Sequence, residues 1–166
     1  MVHQMKSNQQ DIRITILGIG NTLYQDEGIG IHALPLIEEA LEHIPGIEYI
    51  DGTTDGLRLL GPVEDTNYLI VIDAINAGKK GGTIITLLGE DIPAYIGLKM
   101  SIHQLGFQEV LYAAKLRNRY PKHIALIGMQ PTCLELGVGL SPMNEQQLPY
   151  LIERIKEQVH EWRISQ

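Results

Sequence analysis

Residues Ile14–Gly30 read ITILGIGNTLYQDEGIG and form the most informative stretch of this chain. The opening run ITIL is dominated by β-branched and bulky apolar residues, as expected of a strand that is covered on both faces of a sheet. Glycines follow at once and free the backbone from its usual φ restriction, and the adjacent carboxylates Asp26 and Glu27 come after them. The stretch therefore predicts a strand with an acidic loop at its carboxyl end, which is where ligands gather in parallel α/β sheets.

Two simpler interpretations apply to this loop. Gly18 and Gly20 suggest a dinucleotide-binding fingerprint, but Leu23 stands where its third glycine is required, so we expect no nucleotide cofactor. Asp26 fits the start of the next helix, where an acid gains roughly 0.3–1 kcal/mol from the backbone dipole. Glu27 is interpreted differently, as a ligand, because other ligand-type side chains recur at matching positions later in the chain.

Length and composition limit the class of protein. At 166 residues the chain fits one domain, which would bury about 70% of the surface that its unfolded form exposes. The formal net charge is −7 and no basic run stands out, which argues against binding to nucleic acid or to an anionic membrane. Cys133 is the only cysteine, which excludes an internal disulfide and cysteine-based zinc motifs and suits the reducing cytoplasm. No apolar segment reaches the ~18 residues of a membrane span.

Strand and helix patterns alternate along the chain, without a repeat or a linker long enough to divide it. This alternation predicts a three-layer α/β/α domain over residues 11–166, with a central, mainly parallel sheet of about five strands. The polar segment 1–10 is predicted to be a flexible N-terminal tail. Strands are predicted near 14–17, 47–50, 68–72, 83–88 and 123–129, and apolar stripes predict helices around 34–41, 57–60, 107–114 and 148–162.

Local signals refine this outline. Pro35 is expected within the first turn of its helix, where proline is tolerated. Ser141 and Pro142 predict the cap and the first position of the last helix. The glycine-containing stretch Leu134–Leu140 receives no assignment, and Cys133 is interpreted as a small core residue.

Further ligand-type side chains adjoin the predicted elements. Asp51 directly follows the second strand, Asp73 ends the strongly apolar run 68–72, and His103 falls at or just before the start of the helix that follows. A carboxylate that ends a buried strand lies next to the core, where it requires a proton, a partner or a metal ion. Asp73 is therefore the acid most strongly indicated as functional.

Glu27, Asp73 and His103 are predicted to reach one rim of the sheet. Two carboxylates and one imidazole form an open three-ligand set that suits nickel, zinc or a related divalent ion. The same residues also fit a structural set, in which Glu27 and His103 cap helices and Asp73 accepts hydrogen bonds from loop amides. Residue types alone leave both interpretations open.

Four motifs occur in order along the chain. They are GxGNxLxxDEGxG at Gly18–Gly30, DGTTDG at Asp51–Gly56, IDA at Ile72–Ala74 and SxHQxG at Ser101–Gly106. Together they resemble the nickel-iron hydrogenase maturation endopeptidases over nearly the whole chain, and four ordered motifs are much more specific than any one of them. The second motif departs from the family pattern Asp-Gly-Gly-Thr at one position, where Thr53 replaces the second glycine.

The resemblance implies a cytoplasmic endopeptidase, grouped with the aspartic-type peptidases. Such an enzyme removes a short C-terminal extension from the precursor of the hydrogenase large subunit once nickel has been inserted. It implies that Glu27, Asp73 and His103 contact nickel and act with it in cleavage, the nickel being that of the precursor. It also implies that Asp51, with Gly52 and Thr54, contributes to substrate recognition, and that Asp51 takes part in cleavage.

A function of a different class also fits the residues. A non-catalytic metal- or nucleotide-binding α/β module would use the same loops only to hold a ligand. Release of a peptide from the precursor distinguishes the two, because a binding module would release none.

Overall fold

The computed structural model describes residues 12–53, 56–92 and 102–165, and for residues 53, 57 and 102–106 it describes the backbone alone. Five strands form its central sheet. The strands are β1 (Ile14–Ile19), β2 (Ile47–Thr53), β3 (Tyr68–Ala74), β4 (Ile84–Leu88) and β5 (His123–Met129). Their order across the sheet is β2-β1-β3-β5-β4. The first four are parallel, and β4 runs antiparallel to β5 at one edge, which confirms the mainly parallel sheet.

Helices cover both faces of this sheet. They are α1 (Ile29–Ala40), α2 (Leu60–Glu64), α3 (Ile102–Leu116) and α4 (Pro142–Ile164), with 3-10 helices at Gln25–Gly28 and Leu57–Leu59. Apolar side chains of α1 and α4 pack on one face, and those of α2 and α3 pack on the other. The three-layer architecture is therefore confirmed, and no helix within the described ranges is long and apolar enough to cross a membrane. The predicted tail 1–10 lies outside the described residues.

Strand β3 shows why the central runs are apolar without alternation. Ile70 and Ile72 point to the α1 and α4 side, whereas Leu69 and Val71 point to the α2 and α3 side. All four side chains are buried, since successive residues of a strand face opposite sides and both sides are covered.

The helix boundaries confirm one local prediction and correct another. Ser141 is the N-cap of α4 and Pro142 its first residue, as predicted. Helix α1 begins at Ile29, so Pro35 lies in the helix interior and the expectation of a first-turn proline was wrong. The proline has no N–H to donate to the carbonyl of Ile31, four residues earlier, so this turn of α1 lacks one backbone hydrogen bond.

The strand order reverses at β1. The chain leaves β1 to form β2 on one side and later returns to form β3 on the other. The carboxyl ends of β1 and β3 therefore flank a topological switch point, where the connecting loops diverge and leave a crevice. The loops that directly follow β1 and β3 start at this crevice.

Candidate active site

Glu27 lies in the 3-10 helix that directly follows β1, and its side chain is half-buried. The turn is held by a hydrogen bond from the Glu27 N–H to the Tyr24 carbonyl, 3.2 Å long. Gly20 has a φ of +140°, and a Cβ there would collide with the carbonyl oxygen of Glu27. Only glycine fits both the backbone angle and the close approach, so Gly20 sets the path that brings Glu27 back over the end of β1.

Gly30 allows the start of α1 to lie in close contact with strands β1 and β3. A Cβ at this position would meet the carbonyl oxygens of Ile72 in β3 and Ile19 in β1. The glycine thus allows the helix to begin directly above the switch point. The acidic turn that precedes α1 is held beside the carboxyl end of β3 by this contact.

Asp73 is the penultimate residue of β3 and is 7% exposed. Its Oδ1 accepts a hydrogen bond of 2.8 Å from the N–H of Ala74. On the neighbouring strand β5 its partner is Gly128, where a Cβ would collide with the Asp73 carbonyl oxygen. Asp73 and Glu27 therefore belong to the two chain segments that flank the switch point.

Gln130 anchors the loop that follows Asp73 and was missed by the sequence analysis. Its Oε1 accepts hydrogen bonds from the N–H groups of Ala77 and Lys79, at 2.8 and 3.2 Å. Its Nε2 donates to the Oδ1 of Asn76 at 3.1 Å. The signal in the sequence is a single amide side chain directly after the apolar strand β5, where a buried polar group has to find partners.

Asp51 lies on β2 and is exposed. It pairs with Gly18 of β1, whose partner on the other side is Ile72 of β3. Two strand spacings therefore separate the Cα atoms of Asp51 and Ile72, roughly 10 Å. Thr53 pairs with Ile19 after a register shift and has an extended backbone, so the loop accepts threonine in place of the family's second glycine. Thr54 lies outside the described residues.

His103 is the second residue of α3, and its side chain lies outside the description. Near the other end of this helix, the Nε of Arg117 lies 2.6 Å from the Oε1 of Glu64. Glu64 is the last residue of α2 and precedes β3. The end of α3 is therefore at the amino edge of the sheet, and its start is at the carboxyl edge. Among described side chains, no group of three or more His, Cys, Asp or Glu is placed to hold a metal ion.

Asp26, next to Glu27, is completely buried and binds a distant loop. Its Oδ2 accepts hydrogen bonds from the N–H groups of Thr132 and Cys133 and from the Oγ of Ser141, and its Oδ1 accepts one from the Ser141 N–H. These four bonds are 2.7–2.9 Å long. The interpretation of Asp26 as a helix-start acid was incomplete, because its carboxylate fastens the loop 132–141 to the loop after β1.

Comparisons with known proteins agree with this architecture. The family model described as hydrogenase maturation protease matches residues 31–158. The chain is 39% identical to the hydrogenase expression/formation protein HupD of Bradyrhizobium diazoefficiens, covering 97% of this chain and 85% of that protein. It is 37% identical to the hydrogenase 2 maturation protease of Escherichia coli, with coverages of 87% and 88%.

Solved structures give the same result. The hydrogenase maturating endopeptidase HybD from Escherichia coli superposes with a TM-score of 0.81 at 37% identity, covering 90% of this chain and 93% of that one. HybD from Thermococcus kodakarensis superposes with a TM-score of 0.73 at 25% identity, covering 89% and 99%. The chain therefore belongs to the hydrogenase maturation protease family and is a peptidase.

Proposed function

We propose that this protein removes the C-terminal extension of a [NiFe]-hydrogenase large-subunit precursor in the cytoplasm, after the precursor has received its nickel. The observation that carries the proposal is the backbone position of Glu27 and Asp73. Glu27 lies in the first helical turn after β1 and Asp73 is the penultimate residue of β3, and these are the two strands at the switch point. Ligands of open α/β sheets bind in the crevice at this point.

Glu27, Asp73 and His103 are assigned as the groups that contact the nickel of the precursor. The start of α3, which carries His103, is at the same edge of the sheet as the other two residues. Carboxylate oxygen and imidazole nitrogen donors suit nickel, and a three-donor set leaves positions for the donors of the precursor itself. The enzyme would thereby bind a loaded precursor more tightly than an empty one.

Cleavage then uses the nickel that arrives with the substrate. A divalent ion polarises a carbonyl or lowers the pKa of a bound water, and a nearby carboxylate takes up the proton. Asp51, exposed on β2 at roughly 10 Å from Ile72 on the spacing of two strands, is assigned to the peptide on either side of the bond. Gly52 and Thr54 adjoin it and are assigned to the same contact.

The direct test compares nickel-loaded and nickel-free precursor with the same purified enzyme. The release of the C-terminal peptide is followed by mass spectrometry. We expect cleavage of the loaded form and a rate at least a hundredfold lower for the empty form. Efficient processing of the empty precursor would refute the role of nickel.

Isosteric variants test the three assigned residues. Glu27→Gln, Asp73→Asn and His103→Gln each remove a donor and keep the approximate shape, so we expect folded proteins that lose processing. The matched controls are Glu42→Gln, Asp65→Asn and His43→Gln, whose side chains are exposed away from the switch point. Wild-type rates in the first three variants would show that these residues do not serve the reaction.

A further inference from the structure

A row of exposed apolar side chains stands beside the candidate site. Leu134, Leu136 and Val138 are 48%, 75% and 91% exposed, and Leu23 is 58% exposed on the adjoining loop. The first three alternate with Glu135 and Gly137 along the chain. Large apolar side chains are normally covered by the protein, so three of them exposed within five residues are unusual. We call Leu23, Leu134, Leu136 and Val138 the apolar ridge.

The backbone beneath the apolar ridge is firmly attached. The Gly137 N–H donates to the Leu23 carbonyl at 2.8 Å, and the Gly137 carbonyl accepts from the Gln25 N–H at 3.2 Å. The Glu135 carbonyl accepts from the Gln25 side chain at 3.3 Å. Asp26 holds both ends of the same loop through residues 132, 133 and 141. The fold thus orders this segment while it leaves the large side chains in water.

We infer that the apolar ridge is the docking surface for an uncharged, apolar segment of the large-subunit precursor that lies next to the bond to be cleaved. This inference rests on the proposed function. Contiguous exposed apolar side chains mark interaction surfaces. A surface that is ordered in advance also loses little conformational entropy when its partner binds.

The identity of the occupant follows from the connection between the apolar ridge and the site. Leu23 is four residues from Glu27 in the same loop, and Asp26 binds the loop that carries the other three residues. The apolar ridge and the switch point are therefore parts of one connected loop region, and for this reason we assign the ridge to precursor residues that adjoin the scissile bond. Glu135 is the charged residue within Leu134–Leu140, so the segment offers apolar contact in preference to ion pairing.

The experiment measures processing of the nickel-loaded precursor by the double variant Leu136→Ser, Val138→Ser. The control is Leu116→Ser, Ile164→Ser, which removes side chains of 72% and 68% exposure at the ends of α3 and α4, at the opposite edge of the sheet. We expect the ridge variant to raise KM at least tenfold with kcat changed less than threefold. The control variant is expected to keep both constants, and both variants are expected to melt as the wild type does.

Binding is measured separately from cleavage, with Glu27→Gln as the background, so that failure of the proposed function is distinguishable. Loss of precursor binding in the ridge variant supports docking, whether or not the wild-type enzyme releases a peptide. Absence of peptide release by the wild-type enzyme would refute the proposed function alone. A photo-crosslinking residue at position 138 is expected to capture the terminal region of the precursor. Unchanged binding, or crosslinking only to a second copy of this chain, would overturn the inference.

Discussion

Replacement of Asp26 tests whether one buried carboxylate holds the loop that carries the apolar ridge. Asp26→Ala leaves three backbone N–H groups without their acceptor, the buried one of Ser141 and the partly buried ones of Thr132 and Cys133. Hydrogen bonds to charged groups contribute roughly 1.5–3 kcal/mol each and are not additive, so we expect a loss of about 4 kcal/mol in the free energy of unfolding. For a domain of this size the melting temperature should fall by about 8–16 °C.

Asp26→Asn separates shape from charge. When the side-chain oxygen of the introduced asparagine takes the place of Oδ2, it still accepts three of the four hydrogen bonds. The amide NH2 group then takes the place of Oδ1 and faces the Ser141 N–H, so two donors meet there. The expected loss is about 2 kcal/mol. Urea unfolding measures both variants against Asp65→Asn, an exposed control, and hydrogen exchange should accelerate at the amides of Thr132 and Cys133. A loss below about 1 kcal/mol for Asp26→Ala would refute the reasoning.

Two further predictions concern packing and pH. Gly30→Ala forces a Cβ onto backbone atoms of β1 and β3, so the free energy of unfolding measured in urea should fall by about 3 kcal/mol. Gly61 has open space around it, so Gly61→Ala should raise the free energy of unfolding by about 0.5–1 kcal/mol. Burial, with a smaller effect of Glu38, raises the pKa of Tyr49 to about 12 from 10.0. The unfolded chain ionises first, so stability should fall between about pH 10 and pH 12. Tyr49→Phe should remove that part of the fall, and identical alkaline profiles of the two proteins would contradict it.

The sheet was predictable because buried strands require continuous apolar runs. The predicted strand His123–Met129 matches β5, and the predicted run 68–72 lies within β3. The antiparallel direction of β4 was not predictable, because the residues of Ile84–Leu88 fit either direction equally well. Direction is set by the connection between β3 and β4 and by pairing with β5, and neither has a local sequence signal.

The candidate site was predictable in part. Glu27 and Asp73 were indicated because each follows an apolar strand, and the strand order brings these two strands together. Leu134–Leu140 received no assignment, since its conformation depends on hydrogen bonds to residues more than a hundred positions earlier. No local periodicity records such bonds. The alternative of a non-catalytic binding module was wrong, because the chain belongs to a protease family.

The adjacent carboxylates Asp26 and Glu27 show how the fold joins docking to chemistry. Both are acids in one turn of 3-10 helix, yet Asp26 is fully buried against the loop 132–141 and Glu27 is half-buried at the switch point. Asp26, which holds the loop of the apolar ridge, is therefore joined by one peptide bond to Glu27, the proposed nickel contact. A displacement of the ridge loop would be transmitted to Glu27, since the Asp26 N–H also donates to the Cys133 carbonyl at 3.2 Å. For this reason Asp26 variants should impair processing by displacing Glu27, even where the precursor still binds.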